Sequence, residues 1–133
     1  MTFVDHLRLS VGDVEVSRAF YDPWLHLLGF SPVARDDGGA AWGKPDTAGG
    51  MQWMILTPAE REQEHDLLAA GLHHVAFAAD SREQVDQVGE ALRALGTEIL
   101  QGPGEYDHEA DRYAVFFLDP DGIKLEVIHA MPQ

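Results

Sequence analysis

Tyr113–His129 reads YAVFFLDPDGIKLEVIH, two apolar runs on either side of Asp119-Pro120-Asp121-Gly122. Proline presets φ and glycine permits positive φ, so the four central residues predict a turn and the flanking runs a β-hairpin. Along the returning strand Ile123, Leu125 and Val127 alternate with Lys124, Glu126 and Ile128. Successive strand residues point to opposite faces, so Glu126 stands on the side away from an apolar face. Alone, that describes an outward carboxylate on a half-buried strand. The rest of the chain gives it a second meaning.

The same alternation recurs twice upstream. In Val4–Val11, Leu7, Leu9 and Val11 share one face and His6, Arg8 and Ser10 the other, which predicts a strand. In Leu72–Ala79, His73, Val75 and Phe77 share one face while His74, Ala76 and Ala78 share the other. A helix is expected after each strand. The first covers Val14–Leu28, kinked or divided at Pro23 and closed by Gly29. The second covers Arg82–Leu95, capped by Asp80 or Ser81 and closed by Gly96. Further strands are predicted over 30–35, 40–43, 51–57 and 97–101. The acidic, helix-prone stretch 58–70 reads as a connector, with 36–39 as a turn and 44–50 and 102–111 as polar loops.

An internal repeat emerges from this order. His6 of HLRLSV falls on His74 of HVAFAA after 68 residues, and Gly29 falls near Gly96 after 67. Each half reads strand, helix, strand, strand, strand. Two open four-stranded sheets cannot each bury both faces alone, so an α+β fold with the halves paired around a shared concavity is expected. Module 1 then covers about 1–57, the connector 58–70 and module 2 about 71–131, all within a single domain of 133 residues.

Composition bounds the partners. The net charge is −14, from 23 acidic and 9 basic residues, which repels nucleic-acid backbones and anionic lipid surfaces. No cysteine is present, which removes disulfides, thiolate chemistry and Cys-based zinc sites. MTFVDHLRLSV has neither a basic start nor a long apolar stretch, so no signal peptide is expected. No window approaches the roughly 20 apolar residues of a membrane helix. A soluble cytoplasmic protein is the expectation.

His6, His74 and Glu126 each lie opposite their strand's apolar side. If helices cover the apolar faces, all three point into the concavity. Two imidazoles and one carboxylate are a common protein ligand set for a divalent metal, with positions left for water and substrate. Tyr113, beside the hairpin strand, is a candidate catalytic residue for a substrate contact or proton donation. Tyr106 and His108 belong to a loop that can cover the site. His73 reads as packed or at an interface, and His26, His65 and His129 as surface residues.

Three stretches, DHLRLSVGDVEVSRAFYDPWLHLLGF from Asp5, GLHHVAF from Gly71 and DPDGIKLEVI from Asp119, together resemble the vicinal oxygen chelate superfamily. That group spans glyoxalase, bleomycin-resistance and dioxygenase proteins. The resemblance runs from His6 to Ile128. It implies two βαβββ modules paired into an open barrel-like sheet with a central cleft. It also implies a divalent metal (Zn, Ni, Mn or Fe) on His6, His74 and Glu126, with Glu126 catalytic as well. Two imidazoles make Mg the poorest match. Glyoxalase I-like members carry a further Glu on the last strand of module 1. Here that strand is MQWMIL, with Gln52 or Met54 as occupants of the fourth position, so glyoxalase I itself is disfavoured. The expected function is a small metal-dependent lyase, isomerase or ring-cleaving dioxygenase acting on a small oxygen-rich substrate, as a homodimer. The alternative is a metal-free binding protein of the bleomycin-resistance type.

Overall fold

Two compact units, Met1–Gln63 and Glu64–Gln133, make up the computed structural model, which describes residues 4–106 and 109–130. The first unit contains β1 (His6–Val11), α1 (Val14–Leu27), β2 (Ser31–Val33), β3 (Ala40–Pro45) and β4 (Met51–Pro58). The second contains β5 (Val75–Ala78), α2 (Arg82–Ala94), β6 (Ile99–Tyr106), β7 (Glu109–Leu118) and β8 (Lys124–Ala130). The sheets are ordered β1-β4-β3-β2 and β5-β8-β7-β6, with the first pair of each parallel and the others antiparallel. The α+β βαβββ repeat is therefore present in both topology and pairing. Among the described residues no helix is long and apolar enough to cross a membrane.

Local chemistry explains the helices and repeats itself between the units. Asp13 caps α1 by accepting from the Glu15 and Val16 amides, and Ser81 caps α2 by accepting from Gln84. At the other ends Gly29 and Gly96 take φ of 96° and 73°, the left-handed conformation that glycine adopts without a Cβ penalty. Each then completes the same pair of backbone bonds: Gly29 to His26 with Phe30 to Leu25, and Gly96 to Arg93 with Thr97 to Leu92. This is one stop signal used twice. Pro23 does not divide α1, which runs as a single helix through it.

Each helix covers one face of its own sheet. In the first unit Leu9, Leu56 and Ala40 are aligned across β1, β4 and β3, with Met54 beside Trp42, and all are buried. Trp42 donates its indole N–H to Asp22 of α1 at 2.8 Å, which fixes that face as the one under the helix. In the second, Val115, Phe117, Leu125 and Val127 are buried with Val85, Val88 and Leu92 of α2. The faces opposite the helices hold His6 in the first unit and Glu126 in the second.

Three other expectations change. Residues 58–70 form no helix: Pro58 ends β4 opposite Val11 and a turn at Asp66 follows. An acidic segment without an apolar stripe has no packing to offset the cost of nucleating a helix. β5 begins at Val75, not Leu72. The expected loop 102–111 is largely strand, since Gly104 pairs with Ala114 and Glu105 with Tyr113. Its Gly and Pro residues fall among register shifts between β6 and β7, where bulges tolerate residues that read as loop formers.

Candidate metal centre

The hairpin that places Glu126 is held by its own turn. Asp119, buried, accepts from the amides of Asp121 and Ile123 at 2.9 and 2.8 Å, while its backbone bonds Ile123 and Gly122. β8 then pairs with β7 on one side and β5 on the other, aligning Glu126 with both Phe116 and Ala76. This central position buries the carboxylate to 5% exposure, where the sequence suggested an outward one. A buried carboxylate demands a partner. His74 supplies it, with Nε2 at 3.2 Å from Oε1.

That distance bears on metal binding. With metal–ligand bonds of about 2.0–2.2 Å, two donors on neighbouring corners of a tetrahedral or octahedral centre stand about 2.8–3.6 Å apart. His74 and Glu126 thus already stand at the spacing of a coordination edge. His6 belongs to the first unit, on the face of β1 away from α1, together with Arg8 and Ser10. Its Nδ1 lies 2.8 Å from Asp5 Oδ1, and donation to that carboxylate leaves Nε2 with a free lone pair. Among the described residues no group of three or more His, Asp or Glu side chains is placed to hold a metal ion by itself. The chemistry of this donor set, neutral imidazoles and a buried carboxylate, fits a borderline divalent cation.

Around this pair lie side chains that the sequence did not single out. Phe116 shares the Glu126 face, meets the His74 ring edge-on at 6.1 Å and lies tilted against the Tyr106 ring at 5.1 Å. The Lys124 ammonium stands 5.1 Å from the Phe116 ring centre. Phe116 looked like one more apolar residue of a core strand, and only its even position opposite Glu126 marks it. On the first unit's open face Arg8 donates to Thr57 at 2.7 Å. Trp53 pairs with both His6 and Gly43, and its ring lies where a Cβ on Gly43 would stand.

Three proposed participants lie elsewhere. Tyr113 pairs with His129 and stands on the α2 side of the second sheet, the face opposite Glu126. Its hydroxyl donates to Asp86 at 2.6 Å, and Arg82 lies over its ring at 4.9 Å. The bond to Asp86, with burial and the nearby Asp86 charge, holds the phenol pKa above its ordinary value of 10.0. Strand parity thus turns Tyr113 away from Glu126. Gln52 and Met54 are likewise on the helix side: Met54 aligns with Leu7 and Trp42, and Gln52 with Lys44. Neither shares the face of His6, so neither occupies a fourth ligand position there. His108 lies outside the described residues.

Residues 3–127 match the Glyoxalase/Bleomycin resistance protein/Dioxygenase superfamily, and the chain belongs to that family. An uncharacterized Bacillus subtilis protein, YqjT, is 35% identical over 127 residues, covering 92% of this chain and 95% of that one. A metallothiol transferase, FosB, from Bacillus licheniformis is 29% identical and covers 93% of this chain and 73% of its own. Among solved structures, a putative glyoxalase from Bacillus halodurans superposes with a TM-score of 0.75 at 28% identity, over 95% of this chain and 94% of that chain.

Proposed function

We propose that this chain is a metal-dependent enzyme in which His6, His74 and Glu126 hold one divalent cation and a small oxygen-rich substrate completes the site. The observation that carries the reading is the 3.2 Å edge between His74 Nε2 and the buried Glu126 carboxylate. A cation bound there supplies Lewis acidity to a substrate oxygen. Glu126 contributes negative charge from a buried position, His74 and His6 contribute neutral nitrogen donors, and Phe116 walls one side of the pair.

The reaction type follows from what the face lacks. Among the described residues of β5, β7 and β8, Glu126 is the one carboxylate on its face, so anchor and base fall on the same group. A reaction that needs a separate strong base is poorly served. Transfer of a nucleophile that ionises readily, such as a thiol with pKa about 8.5, requires no second carboxylate. The FosB relative, a metallothiol transferase, is named for an activity of this type. We therefore favour metal-assisted group transfer over isomerisation or ring cleavage.

Elemental analysis of purified, metal-reconstituted protein tests the reading, with His74→Ala beside wild type. Near one equivalent in wild type and little in the variant is expected. Equal, negligible metal in both overturns it and leaves a metal-free binding protein of the same fold. We further propose a homodimer in the cytoplasm. Light scattering that reports 14.7 kDa across a wide concentration range refutes the dimer.

A further inference from the structure

Both proposed histidine ligands are held in the same way, by the residue immediately before them. His6 Nδ1 lies 2.8 Å from Asp5 Oδ1, and His74 Nδ1 lies 2.7 Å from His73 Nδ1. The repeat thus preserves a contact at Nδ1 while changing its chemistry, a carboxylate in the first unit and an imidazole in the second. In each case Nε2 is the nitrogen left for other work, and in His74 it is the one that faces Glu126.

From this geometry we infer that Asp5 and His73 are positioning residues for the metal ligands. The inference rests on the metal-site reading above. An imidazole can offer only one nitrogen lone pair to a cation, and the bond made by its other nitrogen fixes ring orientation and tautomer. Asp5 accepts only, so it holds a proton on His6 Nδ1. His73 can accept or donate at its own Nδ1, so it follows His74 whether Nε2 faces Glu126 alone or a cation. The His73 and His74 rings meet edge-on with centres 5.0 Å apart, which limits rotation of His74 about its side-chain bonds. His73 is exposed, so the expectation that it packs in a core is not met.

The test uses Zn²⁺ as the probe metal and competition with a chromophoric chelator. His73→Ala and Asp5→Ala are each expected to weaken zinc affinity by about tenfold or more, the usual effect of losing such a partner. His73→Asn and Asp5→Asn present a polar atom near the same place and recover most of the loss. Nitrogen-15 NMR of the zinc-loaded protein should show His6 and His74 protonated at Nδ1. Alanine variants that bind zinc like wild type, while His74→Ala loses it, overturn the inference and leave the metal reading standing. Asparagine variants as weak as the alanine ones overturn it too, because the effect is then one of bulk. Wild type that takes up no zinc removes the metal reading, and the inference with it.

Discussion

Ile55 of the first unit stands where Glu126 stands in the second. Arg8, two residues after His6, pairs with Ile55, and Ala76, two residues after His74, pairs with Glu126. The repeat therefore places an apolar side chain at the position that would supply a fourth ligand and a second carboxylate. Gln52 and Met54 are excluded from that position by strand parity. General bases typically contribute a factor of about 10²–10⁴, so turnover of methylglyoxal with glutathione is expected to be feeble.

Substitutions along β4 test this register. Ile55→Glu adds a carboxylate on the His6 face and is expected to raise that turnover, while Gln52→Glu leaves it unchanged. Met54→Glu places an acid at a site only 1% exposed and should destabilise the fold by several kcal/mol. A steady-state assay of the three variants, with thermal melts, checks the ordering. Strong activity in wild type or in Gln52→Glu contradicts the assignment.

The strand faces were legible because turns and alternation are local. DPDG fixed the hairpin, and the alternation around His6, His74 and Glu126 placed each opposite its apolar side. MQWMILT is different: it carries large side chains on both faces, so alternation separates two sets without saying which lies under α1. The pairing of Met54 with Trp42, whose indole reaches Asp22 of α1, decides that. The burial of Glu126 was equally hidden, since it depends on β5 and β7 closing on both sides of β8. Tyr113 stands on the other face for a related reason. Nearness in sequence to a site says nothing of the face, and its odd position puts it with Val115 and Phe117.

Replacing Tyr113 by Phe should leave metal content unchanged. Loss of its exposed hydrogen bond to Asp86 is expected to cost about 0.5–1 kcal/mol. The phenol pKa is raised in the folded protein above 10.0, so this stabilisation is fully present below pH 10 and fades as pH climbs through the folded value. Urea denaturation of both proteins at pH 7 and at several points above pH 10 should show the gap closing. A large loss of metal in Tyr113→Phe would return this residue to the site.

Gly43→Ala probes the wall beside His6. The added Cβ would lie 2.6 Å from Cζ3 and 2.8 Å from Cε3 of Trp53, closer than carbon atoms approach. The indole must shift, at a cost of about 1–3 kcal/mol. Denaturation curves and the tryptophan emission spectrum should both change. Because Trp53 pairs with His6, zinc affinity should fall as well, and an unaltered emission spectrum would mean that the indole does not rest on Gly43.

Glu126→Gln separates the ligand role of this carboxylate from its structural one. The amide is nearly isosteric, and its oxygen can still accept from His74, so metal-free stability should change by less than about 1 kcal/mol. A ligand that binds only the folded protein stabilises it by about 2.7 kcal/mol at one hundred times its dissociation constant. Wild type should therefore melt higher with zinc present, and Glu126→Gln should show little or no rise because the anionic donor is gone. His74→Ala should differ in a second respect. It leaves the buried Glu126 carboxylate without its imidazole partner, so its metal-free form should lose about 1–3 kcal/mol. Thermal melts of all three proteins with and without zinc give both quantities at once. A Glu126→Gln protein with the full wild-type rise would show that Glu126 is a buried structural acid and that the cation, if bound, is held elsewhere.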